Sequence, residues 1–339
     1  MYKKEQKEKK LNKYIDLHLH LDGAITVDIA KKLAALQNIK LPTNNDKELE
    51  KFLTVPEDCE NLIQFLECFQ LPLSLLQTSE GLTEAVKLVA ENIQSQGVIY
   101  AEFRFAPQQH TDLKMNQEDA VKAALKGIKD IQDTNIKVNL ILCFMRGKDK
   151  EAKNLETLRL AKKYLVDDGG VVALDIAGDE FNYPISQYKD LFKQVKESGI
   201  PFTIHAGEAA GAFNVKDAIE FGASRIGHGV RAYEDPVVVE QLRQLGIPLE
   251  ICPTSNKQTQ AIQKMDYYPF MDFLNKGLKV TLNTDDMGIE GTYLAKEFET
   301  LEKEYNLTYE HKKTILTNSV NAAFTTNEVK AKLKLELGL

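Results

Sequence analysis

Short apolar runs rich in β-branched residues alternate along the chain with stretches that carry apolar residues at helical spacing. We predict eight strands, over residues 14–21, 98–107, 137–146, 171–178, 201–207, 224–230, 248–256 and 279–286. Most of them follow a glycine that can end a helix, as in "ESGI" and "QLGIP". Strands that alternate with helices pair in parallel, and eight such units predict one (β/α)8 TIM barrel.

The connection between the first two predicted strands is too long for a single crossover helix. About seventy residues separate Ile25 from Gly97, which is enough for several helices over one end of the barrel. Spacing alone makes its segment "LIQFLECF" an ordinary core stripe, with apolar residues at Leu62, Phe65, Leu66 and Phe69. No repeat or linker divides the chain, so we predict a solvated tail over residues 1–13 and one domain over residues 14–339.

Composition narrows the classes of function. The 339 residues are 43% apolar and 27% charged, as in ordinary globular proteins, and the net charge of −7 argues against a nucleic-acid partner. The N-terminal residues lack the apolar core of a secretory signal, and no apolar run reaches the ~18 residues of a membrane span. The four cysteines form no C-x-x-C pair, which favours reduced thiols. We therefore expect a soluble cytoplasmic protein with no membrane partner.

Titratable residues gather at the ends of the predicted strands, where barrels carry their functional groups. Five of the eight strands end in such residues: His18, His20 and Asp22; Asp179 and Glu180; His205 and Glu208; His228; Asp285 and Asp286. The two remaining histidines, His110 and His311, lie in predicted loop or helix and are expected at the surface.

The first strand places two imidazoles side by side. Residues two apart on a strand point the same way, so His18 and His20 can bind one cation. His205 would add a third nitrogen ligand and Asp285 an oxygen. Imidazole and carboxylate without thiolate suit zinc, iron or a similar divalent ion in a catalytic site. Such an ion activates water, which predicts metal-assisted hydrolysis of a polarised C–N, C–O or P–O bond.

Two further residues have roles compatible with that chemistry. His228 could accept a proton from the water or stabilise the hydroxide, and Glu208 could protonate the substrate. The alternative for Glu208 is a carboxylate that interacts with a helix N-terminus.

The motifs "HLHLDGA", "AGDE", "IHAGE", "GHG", "CPTSN" and "LNTDD" occur in the order found in adenosine deaminases of the amidohydrolase superfamily. The chain resembles that family from about Tyr14 to Phe324. The resemblance implies a (β/α)8 barrel with one Zn²⁺, and hydrolysis of adenosine and 2′-deoxyadenosine to inosine and 2′-deoxyinosine plus ammonia, in purine salvage. It also implies a small-molecule nucleoside substrate, and we expect a monomer or weak homo-oligomer.

The resemblance also implies residue roles. The matching metal ligands are His18, His20, His205 and Asp285, and His20 and Asp285 are expected to take part in substrate binding and catalysis respectively. Glu208 matches the acid that protonates purine N1, and His228 the histidine beside the nucleophile. The matching purine and ribose contacts are Asp286 for N7, the Gly178 N–H for N3, and Asp22 for the 5′-hydroxyl. The segment with Leu62, Phe65, Leu66 and Phe69 matches an apolar lid over the nucleoside.

Several alternatives remain. Related enzymes act on adenine, N6-modified AMP or 5′-methylthioadenosine, although adenine deaminases resemble "HLEG" where this chain has "HLDG". Two-metal hydrolases need a bridging lysine or carboxylate after the fourth strand, and "VVALDIAGDE" has no lysine. Cytidine-type deaminases need H-x-E and P-C-x-x-C, which this chain lacks. A non-catalytic nucleoside-binding protein would lack ligands or the acid, and none is missing here.

Overall fold

The computed structural model describes residues 12–56, 59, 62–262 and 267–339. In those ranges the predicted strands all occur, in the predicted order. They are β1 (Tyr14–His20), β2 (Val98–Phe105), β3 (Lys137–Met145), β4 (Val171–Ala177), β5 (Thr203–Ala206), β6 (Arg225–His228), β7 (Leu249–Ile251) and β8 (Val280–Leu282). The predicted seventh strand, 248–256, was too long, because Pro253 starts a helix there.

The strands form two parallel sheets, with the orders β1-β2-β3-β4 and β5-β6-β7-β8. Backbone hydrogen bonds connect the sheets at both ends. The Leu174 amide in β4 donates to the Pro201 carbonyl, 3.0 Å away, just before β5. On the other side the Asp285 amide donates to the His18 carbonyl (2.8 Å), and the His20 amide donates to the Asp285 carbonyl (2.9 Å). The parallel α/β class predicted from the alternating pattern is confirmed.

Helices connect the strands, and five of them fill the long connection between β1 and β2. These five are α1 (Val27–Gln37), α2 (Asp46–Glu50), α3 (Leu62–Glu67), α4 (Gln70–Leu75) and α5 (Ser79–Ser95). The others are α6 (Gln117–Asp130), α7 (Glu151–Tyr164), α8 (Lys189–Ser198), α9 (Ala212–Phe221), α10 (Pro236–Leu245), α11 (Pro253–Gln258), α12 (Phe270–Asn275), α13 (Met287–Glu290), α14 (Leu294–Tyr305), α15 (Tyr309–Ala322) and α16 (Asn327–Leu337). Gly199 and Gly246 end α8 and α10 in the left-handed conformation, as the sequence predicted.

The interior of the strands contains a chain of ion pairs among apolar side chains. Arg225 donates to Glu102 (2.6 Å) and to Glu250 (2.5 Å). Arg104 donates to the other oxygen of Glu250 (2.9 Å) and to Asp175 (2.7 Å). All five side chains are buried. Since an unpaired buried charge is strongly destabilising, each of these residues depends on its neighbours in the chain.

The N-terminal segment of the domain is fixed to the last helix. Lys13 forms an ion pair with Glu336 at 3.0 Å, and Asn12 is exposed. The rest of the predicted tail, residues 1–11, lies outside the described residues. No helix within the described ranges has the length and apolar character needed to cross a bilayer.

Candidate metal centre and active site

Three histidines and one aspartate converge at the carboxyl ends of the strands. His18 and His20 come from β1, His205 from β5, and Asp285 from the segment after β8. Nε2 of His205 lies 3.1 Å from Nε2 of His18 and 3.2 Å from Nε2 of His20. Asp285 Oδ1 lies 3.2 Å from the Nε2 atom of His18 and 3.4 Å from that of His20. All four ligand atoms lie within 4.8 Å of one another, so this set could hold one metal ion.

Carboxylates lie behind two of these histidine rings. Nδ1 of His18 is hydrogen-bonded to Glu250 Oε2 at 2.8 Å, and Nδ1 of His205 lies 2.8 Å from Asp175 Oδ2 without the geometry of a hydrogen bond. A carboxylate bonded to Nδ1, as at His18, keeps the hydrogen on that nitrogen and leaves Nε2 free to bind a cation, which is the usual arrangement of metal-binding histidines. The three imidazole nitrogens and the one carboxylate oxygen of the set fit a divalent ion such as zinc.

His228, the last residue of β6, faces the same point. Its Nδ1 lies 3.1 Å from Nδ2 of Asn256, and Tyr268 donates to the amide oxygen of Asn256 at 3.0 Å. The Asn256 amide therefore donates to Nδ1, and the His228 hydrogen is on Nε2. That nitrogen lies 3.5 Å from Glu208 and 3.6 Å from Asp285. His228 thus faces the site as a hydrogen-bond donor, which favours the second of the two roles considered for it.

Three of the carboxyl groups close to the centre that have raised pKa values are Glu208, Asp286 and Asp22. Burial raises the pKa of Glu208 to about 8, and the charges of Asp285 and Glu180 add to the effect. Burial, followed by the charge of Asp285, raises the pKa of Asp286 well above its usual range. Burial raises the pKa of Asp22 to about 6. Such groups can be protonated near neutral pH and can then donate a hydrogen bond.

These side chains line a cavity of about 300 Å³. Among the described residues, Oδ1 of Asp22 and Oδ1 of Asp286 are buried without a hydrogen-bond partner, as expected of groups that await a ligand. Gly23 is required beside them, because a Cβ there would collide with Asp286. The backbone of Gly178 lines the same cavity with φ +97°, a conformation that favours glycine.

Apolar side chains from α3 and the following residues form another wall of the cavity. Phe65 is buried, Phe69 is partly exposed and Leu66 is exposed, and all three line the cavity. The rings of Phe65 and Phe69 pack edge to face, 6.1 Å apart. Leu62 begins α3, but its side chain lies outside the described residues.

The expectation for one of the two other histidines was wrong. His110 is fully buried, with Nδ1 3.1 Å from the Leu76 carbonyl and its ring against Phe105. Its surroundings are apolar, and burial lowers its pKa to about 4. His311, in contrast, is partly exposed in the first turn of α15 and caps that helix with Thr308.

Sequence reasoning assigned no role to several residues that support the centre. Glu250 and Asp175 contact histidines that are candidate ligands, Asn256 fixes His228, and Arg146 donates to the His205 carbonyl at 2.6 Å. The sequence could have indicated Glu250 and Asp175, because each is a lone acidic residue in the middle of an apolar strand. Such a residue needs a buried partner.

The fold and the site define a parallel α/β protein with a candidate mononuclear metal centre at the carboxyl ends of its strands. The chain belongs to the adenosine deaminase family, whose model matches residues 14–337.

Individual relatives agree with that assignment. An adenosine deaminase of Haemophilus ducreyi is 46% identical over 322 residues, which cover 94% of each chain. An adenosine deaminase of Clostridium botulinum (strain 657) is 40% identical over 328 residues, 96% of this chain and 98% of the relative. The crystal structure of an adenine deaminase from Arthrobacter aurescens is 29% identical, with a TM-score of 0.85 over 96% of this chain and 97% of that one.

Proposed function

We propose that this protein hydrolyses adenosine and 2′-deoxyadenosine to the corresponding inosines and ammonia, as an enzyme of purine salvage. One observation carries the proposal. A single cavity is lined by His20, His205 and Asp285 of the candidate metal-binding set, by a buried acid with a raised pKa, and by two carboxyl groups that each have an unpartnered oxygen. Relatives that are 40–46% identical over nearly their whole length are adenosine deaminases, which supports the same reaction.

The metal in this proposal is one Zn²⁺, held by His18, His20, His205 and Asp285. When bound, it would supply a nucleophilic water at neutral pH by lowering the pKa of that water. The donor set supports this, because imidazole nitrogens and a carboxylate oxygen, without a thiolate, are ligand types found in catalytic zinc sites.

The protein's own groups then act on the purine. Protonated Glu208 gives its proton to N1, so that C6 accepts the nucleophile without a negative charge building up on the ring. The amino group takes the remaining proton of the attacking water, the C6–N6 bond breaks, and ammonia leaves. Nε2–H of His228 donates towards the nucleophile and stabilises its negative charge. Protonated Asp286 donates to N7, and the Gly178 amide donates to N3. Asp22 binds the 5′-hydroxyl of the ribose.

The architecture in the proposal is a (β/α)8 barrel with a lid. The hydrogen bonds from β4 to Pro201 and from β1 to Asp285 support closure of the eight strands. Phe65, Leu66 and Phe69 support a lid formed by α3 and the residues after it, because they line the cavity that holds the acid. We further propose a cytoplasmic monomer or weak homo-oligomer whose partner is the nucleoside alone.

One alternative has a specific observation in its favour. The adenine deaminase of Arthrobacter aurescens has the same fold at 29% identity. Adenine has no ribose, so it would leave Asp22 without a 5′-hydroxyl to bind.

Ultraviolet spectroscopy of the purified protein, after metal analysis, distinguishes these substrates. Adenosine, 2′-deoxyadenosine, adenine and 5′-methylthioadenosine are compared side by side. Turnover of the two nucleosides well above adenine supports the proposal, and a preference for adenine contradicts it. Bound zinc without turnover of any of the four would indicate a binding protein.

A further inference from the structure

One buried carboxylate holds the backbone of the loop that carries Glu208. Residues 207–210 form a bend between β5 and α9, and their four consecutive amides all donate to Glu180. Gly207 donates to Oε1 at 2.6 Å. Glu208, Ala209 and Ala210 donate to Oε2 at 3.0, 2.7 and 3.1 Å. Consecutive amides that converge on one anion form a rigid backbone nest.

Further contacts fix the carboxylate itself. The Asn214 side chain in α9 donates to Oε1 of Glu180 at 2.9 Å, and its own oxygen accepts the Ile185 amide at 3.1 Å. Glu180 is 1% exposed and Asn214 is fully buried. The loop also packs closely against α9 at Gly207. This glycine has φ +76°, and a Cβ there would lie only 2.5 Å from the Val215 side chain. The nest therefore cannot shift without disturbing the packing of α9.

Glu180 is not among the residues that line the cavity, and Glu208 is. We propose that Glu180 is a positioning residue that acts through Glu208, by fixing the backbone from which the Glu208 side chain reaches the substrate. The expected effect on turnover rests on the proposed function. The hydrogen bonds between Glu180 and the loop do not depend on it.

The first test is kinetic and uses Glu180→Gln, which keeps one acceptor oxygen but presents an amide to the loop donors. Displacing a reacting group by about 1 Å costs about 10²-fold, so we expect kcat to fall by about that factor with KM and metal content nearly unchanged. Glu220→Gln is the matched control. Glu220 is exposed in α9 and, among the described residues, forms no hydrogen bond with residues 207–210, so the kinetics of this variant should equal those of the wild type.

A double mutant separates positioning from general damage. If Glu180 acts through Glu208, adding Glu180→Gln to Glu208→Gln should cause little further loss, because the group being positioned is already absent. A further loss of about 10²-fold in the double mutant would overturn the proposal. So would an unchanged kcat in Glu180→Gln alone.

Amide hydrogen exchange tests the loop without any turnover. In the wild type, amides 207–210 should exchange slowly although they lie in a bend. In Glu180→Gln they should exchange at least tenfold faster, and in Glu220→Gln they should exchange as in the wild type. Fast exchange in the wild type or equal exchange in the variant would overturn the proposal. If adenosine is not a substrate, the proposed function is wrong and the kinetic test cannot be applied. The exchange experiment still tests whether Glu180 fixes the loop. If Glu180→Gln does not fold, Glu180→Asp, with a shorter side chain, replaces it in both arms.

Discussion

Oε2 of Glu250 lies 2.8 Å from Nδ1 of His18, on the side of the ring opposite the nitrogen that faces Asp285 and His205. This carboxylate therefore sets the orientation and the tautomer of a candidate metal ligand. The same carboxylate accepts hydrogen bonds from Arg104 and Arg225, so it belongs both to the candidate metal centre and to the interior ion pairs.

We expect Glu250→Gln to lower zinc affinity by about 10–100-fold, the usual cost of losing such a contact. Competition with a chelator measures the affinity. Glu102→Gln is the control, because it removes another partner of Arg225 but contacts no histidine that could bind the metal. Both variants should be less stable than the wild type, and only Glu250→Gln should bind zinc more weakly. Equal zinc affinities in the two variants would contradict the prediction.

The second prediction concerns Glu208. Glu208→Gln should retain zinc and nucleoside binding but lose about 10²–10⁴-fold in kcat, the range for general acid catalysis. In the proposed mechanism the reactive form of Glu208 is the protonated one, and its pKa is raised to about 8. The rate should therefore be full below that pH and fall as the pH rises through it. Steady-state kinetics across pH measure this, and wild-type turnover by Glu208→Gln would remove Glu208 from the mechanism.

The third prediction concerns Asp22, whose Oδ1 is buried and has no hydrogen-bond partner among the described residues. Asp22→Ala should reduce kcat/KM for adenosine by about 10–100-fold, because it removes a buried hydrogen bond worth about 1–3 kcal/mol. The same variant should act on 5′-deoxyadenosine almost as well as the wild type does. Equal losses on the two substrates would show that Asp22 does not bind the 5′-hydroxyl.

The fourth prediction uses the buried His110. Its pKa is about 4 in the folded protein and about 6.5 when unfolded, so the unfolded state binds the proton more tightly. Keeping His110 neutral therefore contributes to the free energy of unfolding. That contribution, about 3 kcal/mol, is fully present above pH 6.5 and is lost as the pH falls towards 4. Denaturant unfolding of the wild type and of His110→Gln should show a shallower decline in the variant. His311→Gln is the control, and a decline as steep in His110→Gln as in the wild type would refute the assignment.

Local periodicity predicted the parallel α/β class and the order of the strands, whereas most of the candidate site residues were predicted from the resemblance of their motifs to a family. Alternation of apolar runs with helical stretches located all eight strands, and the two-residue period placed His18 and His20 on one side of β1. The prediction for His110 was wrong because its burial depends on contacts with residues that are distant in the sequence. The segment "QQHTD" looks polar, yet His110 is buried because α4 brings the Leu76 carbonyl to it.

The supporting residues were harder to predict for the same reason. Asp175 and Glu250 each look misplaced in an apolar strand, and their partner Arg104 lies far away in the sequence. Glu180 gave no separate signal, since an acidic residue after a strand also suits a solvent-exposed loop. Only the three-dimensional structure shows four amides around its side chain.

The contact between β1 and the segment after β8 has a consequence for how the protein unfolds. His18 and Asp285 are hydrogen-bonded through their backbones, and their side chains are also candidate ligands of the same ion. An ion bound there would cross-link two strands that come from opposite ends of the domain. We therefore expect the metal-free protein to separate first along this junction, so that loss of the ion costs resistance to heat as well as activity.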